Sequence, residues 1–337
     1  MRIIIDAMGG DNAPAEIVKG AVMACREYGV EIVLVGKEDE VRACLAAENA
    51  LEEKGITVRN ATEVIDMEDD PSTATRHKKD SSMTVALNML KNDEGDAVIS
   101  AGSTGALLTG ATLIVKRIRG IRRAAMAPLF PNGGKGTLLI DCGANVECTP
   151  EYLLQFAYMG SFYAKAVMGC ENPRVALLNI GAEETKGTEL CRQTYALLTK
   201  VSQDGRISFV GNAEARDVYS GDVDVLVADG FSGNILLKCA EGTAGFIMKL
   251  LKEMFMSRAK NKLAAALIKN DVKQVRRRLD AGEVGGLPML GISKPVIKAH
   301  GSSDARAICN AVRQAAAFKN AGVIEEIEQN IEYMRIG

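Results

Sequence analysis

Glycine-rich polar turns recur along the chain, each directly after a short apolar segment. They begin at Asp6, Ser100, Asp141, Asn179 and Asp229. Turns of this kind that open a helix leave backbone N–H groups free, and these groups suit phosphate or a thioester oxyanion. One such turn is weak evidence, because many are simply tight turns. Five of them predict a single anion-binding cleft if the fold brings them to one edge.

A histidine and a cysteine stand in comparable turns. His300 follows an apolar segment and opens Gly301-Ser302-Ser303, so it is a candidate for phosphate binding or proton transfer, with a structural role equally open. The other histidine, His77, lies in a charged loop and carries little information. Cys142 occupies an inviting turn, but no other feature of the sequence supplies it with a base, which disfavours a cysteine nucleophile.

Several common signatures are absent from the sequence. No G-x-G-x-x-G follows the first apolar segment, no G-x-S-x-G occurs, and Gly181–Thr188 has its lysine and glycine in the wrong order for a P-loop. The eight cysteines show no metal-ligand spacing, which favours reduced thiols in a cytosolic protein and predicts neither a metal nor a cofactor. A formal net charge of −2 argues against a nucleic-acid binder.

Strand-like and helix-like segments alternate along the chain, which predicts a doubly wound α/β fold with a mostly parallel sheet and helices on both faces. Because parallel strands share one carboxyl edge, the polar turns should meet there, within a single catalytic unit over residues 1–337 of one or two lobes around a cleft. The predicted strands are Arg2–Ile5, Glu31–Val35, Asp96–Ser100, Thr137–Asp141, Arg174–Ile180, Ile207–Val210, Asp222–Val227 and Pro295–Ala299, and the predicted helices include Ala15–Tyr28, Met83–Leu90, Glu151–Val167 and Lys186–Lys200.

Residues 243–280 interrupt this alternation and predict an inserted helical hairpin. An apolar stripe is followed by an apolar run containing Leu263, Leu267 and Ile268, with lysines on either side. The stripe fits packing against the body or a second subunit, and it equally fits contact with an anionic membrane surface. We expect no signal peptide, and no run approaches the roughly 18 apolar residues of a spanning helix.

Two basic clusters are candidates for receiving an acidic protein. The first contains Arg76, Lys78 and Lys79 and precedes a predicted helix start at Ser81 or Ser82, and the second spans residues 116–123. Most such clusters are solvated faces.

Taken together, the turns resemble the phosphate acyltransferases called PlsX. The resemblance covers residues 1 to about 320, and its motifs occur in the family's order. They are Asp6–Pro14, Ser81–Met83, Ser100–Ala106, Gly143–Val146, Leu177–Gly181 with Lys186–Gly187, Gly211–Asp217, Asp229–Asn234 and Lys294–Asp304.

The resemblance implies a fold related to phosphotransacetylases and isocitrate or isopropylmalate dehydrogenases, usually as a homodimer. It implies transfer of an acyl group from acyl carrier protein to inorganic phosphate, which supplies acyl-phosphate for phospholipid synthesis. It also implies a cytoplasmic protein held at the inner face of the cell membrane through the hairpin, at Leu263, Leu267 and Ile268.

The motif positions suggest direct transfer without an acyl-enzyme, with Lys186, Asn234 and His300 as catalytic residues. Lys186 would neutralise phosphate or the oxyanion, Asn234 would donate to the thioester carbonyl, and His300 would hold phosphate or assist proton movement. The substrate-binding candidates are Asp6, Gly9, Gly10, Asp11, Ser81, Ser82, Gly102, Ser103, Thr104, Gly105, Asn145, Ser302 and Ser303. The carrier-docking candidates are Arg76, Lys78, Lys79, Arg117, Arg122 and Arg123.

Three alternatives stay open on the residues alone. A phosphotransacetylase using acyl-CoA would need the same phosphate site. A non-catalytic membrane scaffold would explain the hairpin but not the strand-end turns. A decarboxylating dehydrogenase would need clustered aspartates for a divalent metal, and the sequence shows no such set.

Overall fold

The computed structural model describes residues 1–269, 271–272, 275 and 285–335. Its strands form two sheets rather than the one sheet that the alternation suggests. The strands are β1 (Arg2–Asp6), β2 (Glu31–Gly36), β3 (Ile56–Asn60), β4 (Ala97–Ser100), β5 (Ala125–Met126), β6 (Leu129–Phe130), β7 (Thr137–Ile140), β8 (Arg174–Leu178), β9 (Ser208–Ala213), β10 (Val225–Val227), β11 (Leu287–Leu290) and β12 (Val296–Lys298).

The larger sheet has seven strands in the order β3-β2-β1-β4-β12-β11-β5. Its first five strands are mutually parallel, and β11 runs antiparallel to both of its neighbours. The smaller sheet has five strands in the order β6-β7-β10-β8-β9, of which β6 alone is antiparallel to its neighbour. The carboxyl ends of β1, β4 and β12 therefore lie side by side.

Helices cover the sheets. They are α1 (Ala15–Tyr28), α2 (Glu38–Ala47), α3 (Ala74–His77), α4 (Ser82–Lys91), α5 (Thr104–Gly110), α6 (Pro150–Ala166), α7 (Glu189–Gln203), α8 (Gly230–Met256), α9 (Ala259–Leu267), α10 (Ala305–Asn320) and α11 (Val323–Gln329). A π-helical turn at Ala111–Val115 and 3₁₀ turns at Ala215–Tyr219 and Ile331–Met334 complete the described elements.

The first strand shows why the larger sheet is covered on both faces. Ile3 and Ile5 are buried in one hydrophobic cluster, whereas Ile4 between them is buried in a second. Successive side chains of a strand point to opposite faces, so both faces of β1 are packed. Strands buried on both faces are nearly all apolar, as this one is.

The predicted fold class is confirmed, and each of the eight predicted strands has a counterpart. The α1 bounds agree with the prediction, and α4, α6 and α7 differ from it by one to three residues at each end. The prediction omitted β3, β5, β6 and β11.

Helix α8 continues through Thr243, where the sequence predicts the hairpin to begin. It starts at Gly230 and runs for 27 residues, and α9 follows it directly. Part of the predicted hairpin, at residues 270, 273–274 and 276–280, lies outside the described residues. Among the described residues, no helix is both long and apolar enough to cross a membrane.

Candidate active site

A cleft of about 640 Å³ opens at the carboxyl ends of β1, β4 and β12. Its other walls come from the ends of β5, β6 and β7, the loop after β3 and one face of α8. The predicted site residues that line it are Gly10, Asp11, Gly102, Ser103, Thr104, Asn234, His300 and Ser303. The structure therefore brings turns from both sheets to one cleft.

Lys298, which the sequence analysis did not single out, lines the cleft at the end of β12. It is only 5 % exposed, and its Nζ donates to the backbone oxygens of Ala101, at 3.3 Å, and Ala299. Burial lowers the pKa of Lys298 to about 8, although the carboxylates of Asp6 and Asp11 act in the opposite direction. The cleft thus holds a buried amine with few hydrogen-bond acceptors, which suits it to receive an anion.

Asp6 lies buried at the end of β1, near Lys298. Its carboxylate accepts a 2.6 Å hydrogen bond from Ser100 Oγ and a 3.2 Å bond from Met8 N–H, and Ser82 also bonds to it. Burial raises the pKa of Asp6, while these hydrogen bonds favour its charged form. Asp6, Ser82 and Ser100 form a support beneath the cleft and do not line it.

Gly9 allows the turns after β1 and β4 to approach one another. A Cβ at this position would lie 2.6 Å from Asp6 Oδ2 and 2.7 Å from the backbone nitrogen of Gly102. Both distances are shorter than real Cβ contacts, so any side chain at Gly9 would displace Asp6 or the second turn. The glycine-rich opening of the chain therefore has a packing role in addition to exposing backbone N–H groups.

The turn after β12 fixes His300. Its Nδ1 lies 2.8 Å from Ser302 Oγ and accepts a 3.3 Å hydrogen bond from the Ser302 N–H. Asn12 Nδ2 donates to the backbone oxygens of Ser302 and Ser303, and so ties this turn to the turn after β1. Because Nδ1 is an acceptor, the neutral ring carries its proton on Nε2. Ser302 thus orients the histidine rather than lining the cleft.

Asn234 lies in the second turn of α8 beside the turn after β7. The helix is capped by Asp229, whose carboxylate accepts from the Ser232 N–H at 2.8 Å. Gly143 has φ +111°, and a Cβ there would lie 3.6 Å from Asn234 Oδ1. The Asn234 amide is therefore a neutral donor at the boundary between the two sheets.

The turn after β7 is organised by Asp141 rather than by a ligand. Its buried carboxylate accepts from the backbone N–H groups of Met126, Cys142 and Asn145 at 2.7–2.9 Å. Asn145 Nδ2 donates to Asp141 at 3.0 Å and to Ala124 O at 2.8 Å. Asn145, a predicted substrate-binding residue, thus forms internal hydrogen bonds and does not line the cleft.

Cys142 lines the cleft but is 2 % exposed. Burial, together with the Asp141 carboxylate, raises the pKa of its thiol well above the ordinary value. A reactive cysteine needs a lowered pKa, so this environment disfavours a thiolate nucleophile.

Three other predicted residues lie outside the cleft lining. Lys186 is exposed on the loop between β8 and α7, where Asn179 Nδ2 donates to its backbone oxygen at 3.1 Å. Ser81 caps α4 by accepting from the Thr84 N–H. Gly105 lies against Pro71, whose Cβ is 2.7 Å from the position that a Cβ at residue 105 would take.

The predicted docking residues of the first basic cluster differ in whether their charged groups already bond within the chain. Lys78 Nζ bonds to Asp69 at 2.6 Å, Val64 O at 2.8 Å and Asp66 at 3.2 Å, and so clamps the loop whose residues 64–67 line the cleft. Arg76 and Lys79 are exposed.

In the second basic cluster, the three predicted docking arginines each contact their own chain. Arg117 donates to the backbone oxygen of Arg122. The guanidinium of Arg122 pairs with the carboxylate of Glu151 at 3.1 Å. The guanidinium of Arg123 lies 5.3 Å from the centre of the Tyr152 ring. Arg122 and Arg123 remain exposed, so their charges still face solvent.

The predicted membrane-contact residues lie in the middle of α9, at its end and just beyond it. Leu263 is 67 % exposed, Leu267 is 80 % exposed, and Ile268 is also exposed. The described residues leave these side chains without an apolar covering.

The architecture matches a known α/β fold. A phosphotransacetylase from Streptococcus pyogenes superimposes with a TM-score of 0.65 at 19 % identity, covering 96 % of this chain and 94 % of that one. A branched-chain phosphotransacylase from Enterococcus faecalis gives a TM-score of 0.55 at 16 % identity, covering 94 % and 99 %. These likenesses establish the fold.

Sequence relatives establish the family. The model of the family described as "Fatty acid synthesis protein" matches residues 1–326. A phosphate acyltransferase from Clostridioides difficile is 46 % identical over 332 residues, 98 % of this chain and 96 % of that protein. One from Thermoanaerobacterium thermosaccharolyticum is 48 % identical over 332 residues, 98 % and 97 % of the two chains. The chain belongs to this fatty acid synthesis family, and it is an enzyme of the phosphate acyltransferase kind.

Proposed function

We propose that this acyltransferase moves a fatty acyl group from acyl carrier protein to inorganic phosphate and releases acyl-phosphate for phospholipid synthesis. One observation carries the proposal: the buried amine of Lys298 faces a cleft that combines glycine-rich turns with an apolar wall. The reaction needs both parts, because one substrate is a small anion and the other carries an alkyl chain. Residues 1–337 act as one catalytic unit around this cleft.

Phosphate binds at the polar end of the cleft in this proposal. Protonated Lys298 supplies the charge, and His300 and Ser303 lie on the same turn. Asp6 and Asp11 balance the ammonium when phosphate is absent. Hydrogen bonds that involve charged groups contribute about 1.5–3 kcal/mol each, so the bond from Lys298 to phosphate should contribute on this scale.

The acyl transfer itself is direct. A phosphate oxygen attacks the thioester carbonyl carbon, the C–S bond breaks, and the proton of hydrogen phosphate ends on the departing thiol. Asn234 donates to the carbonyl oxygen as negative charge develops there, an effect worth roughly 3–4 kcal/mol at comparable sites. His300, held by Ser302, donates a hydrogen bond from Nε2 to phosphate and so positions the attacking anion. The buried, undissociated Cys142 thiol is consistent with the lack of an acyl-enzyme.

Lys186 stays a catalytic candidate on the condition that its loop moves toward the cleft. It follows β8, so it lies on the same carboxyl edge as the turn after β7, but it is exposed and does not line the cleft. Its proposed role of neutralising phosphate or the oxyanion requires the loop at residues 180–188 to fold inward when substrate binds.

The proposed partners can be assigned to exposed surfaces. Acyl carrier protein, an acidic partner, docks on the exposed charges of Arg76, Lys79, Arg122 and Arg123. The uncovered side chains of Leu263, Leu267 and Ile268 enter an anionic membrane from the cytoplasmic side. The protein acts as a homodimer, with the exposed apolar residues of α8 available for its interface.

The test is phosphate-dependent consumption of acyl carrier thioester, with the product trapped by hydroxylamine. Palmitoyl-CoA is assayed in parallel, because an acyl-CoA phosphotransacetylase needs the same phosphate site. Hydroxamate formed at higher kcat/KM from the carrier thioester supports the proposal. Hydroxamate formed only from the CoA thioester indicates an acyl-CoA phosphotransacetylase. If neither donor gives a phosphate-dependent product, both activities are refuted.

A further inference from the structure

One face of α8 contributes apolar side chains to the cleft. Leu237, Ala240 and Ala244 line the cleft, as does Asn234. Lys238 and Glu241 also line it, and they pair with one another at 2.8 Å. Residues three, four and seven apart lie on the same face of a helix, so these side chains share a face that begins at Asn234. The ten residue steps from Asn234 to Ala244 span about 15 Å at 1.5 Å per step.

A second wall of the cleft comes from β6 and the 3₁₀ turn after β9. Phe130 is 4 % exposed and packs edge-to-face against Tyr219, with ring centroids 5.9 Å apart and planes at 67°. Both residues line the cleft. An aromatic pair of this geometry forms a firm boundary, because the rings hold one another in position.

A third wall covers the cleft from the loop after β3. Ile65 and Met67 line it, and the Lys78 clamp on Val64, Asp66 and Asp69 holds that loop in place. The methionine side chain adapts its shape to an irregular ligand. Apolar residues from these three segments line the same cleft as Asn234.

We propose that this apolar sector, formed by Ile65, Met67, Phe130, Tyr219, Leu237 and Ala240, binds the alkyl chain of the acyl donor, and that Ala240 and Tyr219 set the chain length it accepts. The inference rests on the proposed function and adds the location and the length limit of the acyl subsite. Its orientation follows from the fold: the thioester carbonyl lies at Asn234, and the chain runs along α8 toward Ala244.

An alkyl chain fits this sector better than a polar group would. Each buried CH₂ strengthens binding by about fourfold, so an apolar channel discriminates by chain length until the channel is full. The small side chains of Ala240 and Ala244 leave the space beside the helix that such a chain needs. A polar occupant would find few hydrogen-bond partners among these residues.

The test replaces Ala240 with leucine and compares donors of different length. The kcat/KM for acyl-phosphate formation is measured with octanoyl-, dodecanoyl- and palmitoyl-carrier protein. Ala240→Leu should lower the palmitoyl-to-octanoyl ratio by about tenfold or more, because the larger side chain displaces about two methylenes of the longer chain and each is worth about fourfold. Thr243→Leu is the matched control, because Thr243 is exposed on α8 and does not line the cleft. This control should leave the ratio within about twofold of the wild-type value.

A second variant acts in the opposite direction. Tyr219→Ala removes the side chain of a wall residue that is 45 % exposed. This variant should raise the palmitoyl-to-octanoyl ratio of kcat/KM. Equal losses at all chain lengths in Ala240→Leu, or an unchanged ratio in a folded Tyr219→Ala protein, would overturn the acyl subsite. A wild-type enzyme that forms no acyl-phosphate from any donor would instead refute the proposed function, so the two failures are distinguishable.

Discussion

Replacing Lys298 with methionine should separate phosphate binding from folding. The side chain is buried in the cleft, and methionine preserves most of its length while removing the charge. Loss of one hydrogen bond to a charged group, worth about 1.5–3 kcal/mol, should raise the KM for phosphate roughly 10- to 150-fold. The KM for the acyl donor should change much less, because the alkyl chain binds elsewhere in the cleft.

The same substitution should not lower the thermal stability of the free enzyme at pH 7. The pKa of Lys298 falls from 10.5 to about 8 on folding, and at about 1.4 kcal/mol per pKa unit this costs the folded state about 3 kcal/mol. The unfolded chain binds more protons between pH 8 and 10.5, so stability from this group rises with pH across that window, and the cost is complete below pH 8. Methionine removes this free-energy cost of burying the ammonium. Asp6 loses a positively charged neighbour in the variant, and this loss offsets part of the gain in folding stability.

The pH dependence provides an independent readout of the same residue. Phosphate binding requires the protonated amine, so kcat/KM for phosphate should fall as the pH rises through about 8. Lys298→Arg keeps a cation that does not titrate in this range, and that variant should lose the inflection near pH 8.

The assay is steady-state hydroxamate formation at varied phosphate, with Lys294→Met as the matched control. Lys294 lies four residues earlier and pairs with Asp93 at 2.7 Å, outside the cleft lining. Its substitution should leave the phosphate KM unchanged. A folded Lys298→Met protein whose phosphate KM stays within about twofold of the wild-type value would refute the assignment.

Three further predictions concern residues around the cleft. Lys186→Ala should collapse turnover while leaving the melting temperature unchanged, and near-normal turnover in the folded variant would remove Lys186 from the mechanism. Cys142→Ser should reduce turnover by less than about tenfold, whereas loss of a covalent nucleophile costs several orders of magnitude; mass spectrometry of the quenched wild-type enzyme should find no acyl adduct. Lys78→Met should release the clamped loop, so limited proteolysis between residues 64 and 69 should accelerate and the acyl-donor KM should rise severalfold; an unchanged cleavage rate would show that the clamp is dispensable.

The carboxyl-edge turns were predictable because β1, β4, β7, β8 and β10 are short apolar runs that each end at a polar, glycine-containing turn. The missed β5, β6 and β11 are only two to four residues long and belong to antiparallel pairs, so they show no usable periodicity. The division into two sheets was not predictable, because strand order depends on contacts between distant segments.

Lys298 is a cleft residue that could not be identified from its residue type alone. Its importance lies in burial beside Asp6, and those two residues are separated by most of the chain. One signal was available: a lysine ends the apolar run from Val296, directly before the turn at His300. Ser82 and Asn145 were selected for the right region, but whether a polar side chain faces a ligand or supports the turn depends on geometry that spacing does not contain.

Phosphorus NMR of the purified enzyme with palmitoyl-carrier protein and inorganic phosphate tests the central claim most directly. The wild-type enzyme should produce an acyl-phosphate resonance that requires donor, phosphate and enzyme, and Lys298→Met should form it far more slowly at limiting phosphate. Thioester consumption that yields only free fatty acid, or equal acyl-phosphate formation by the two proteins, would contradict the account.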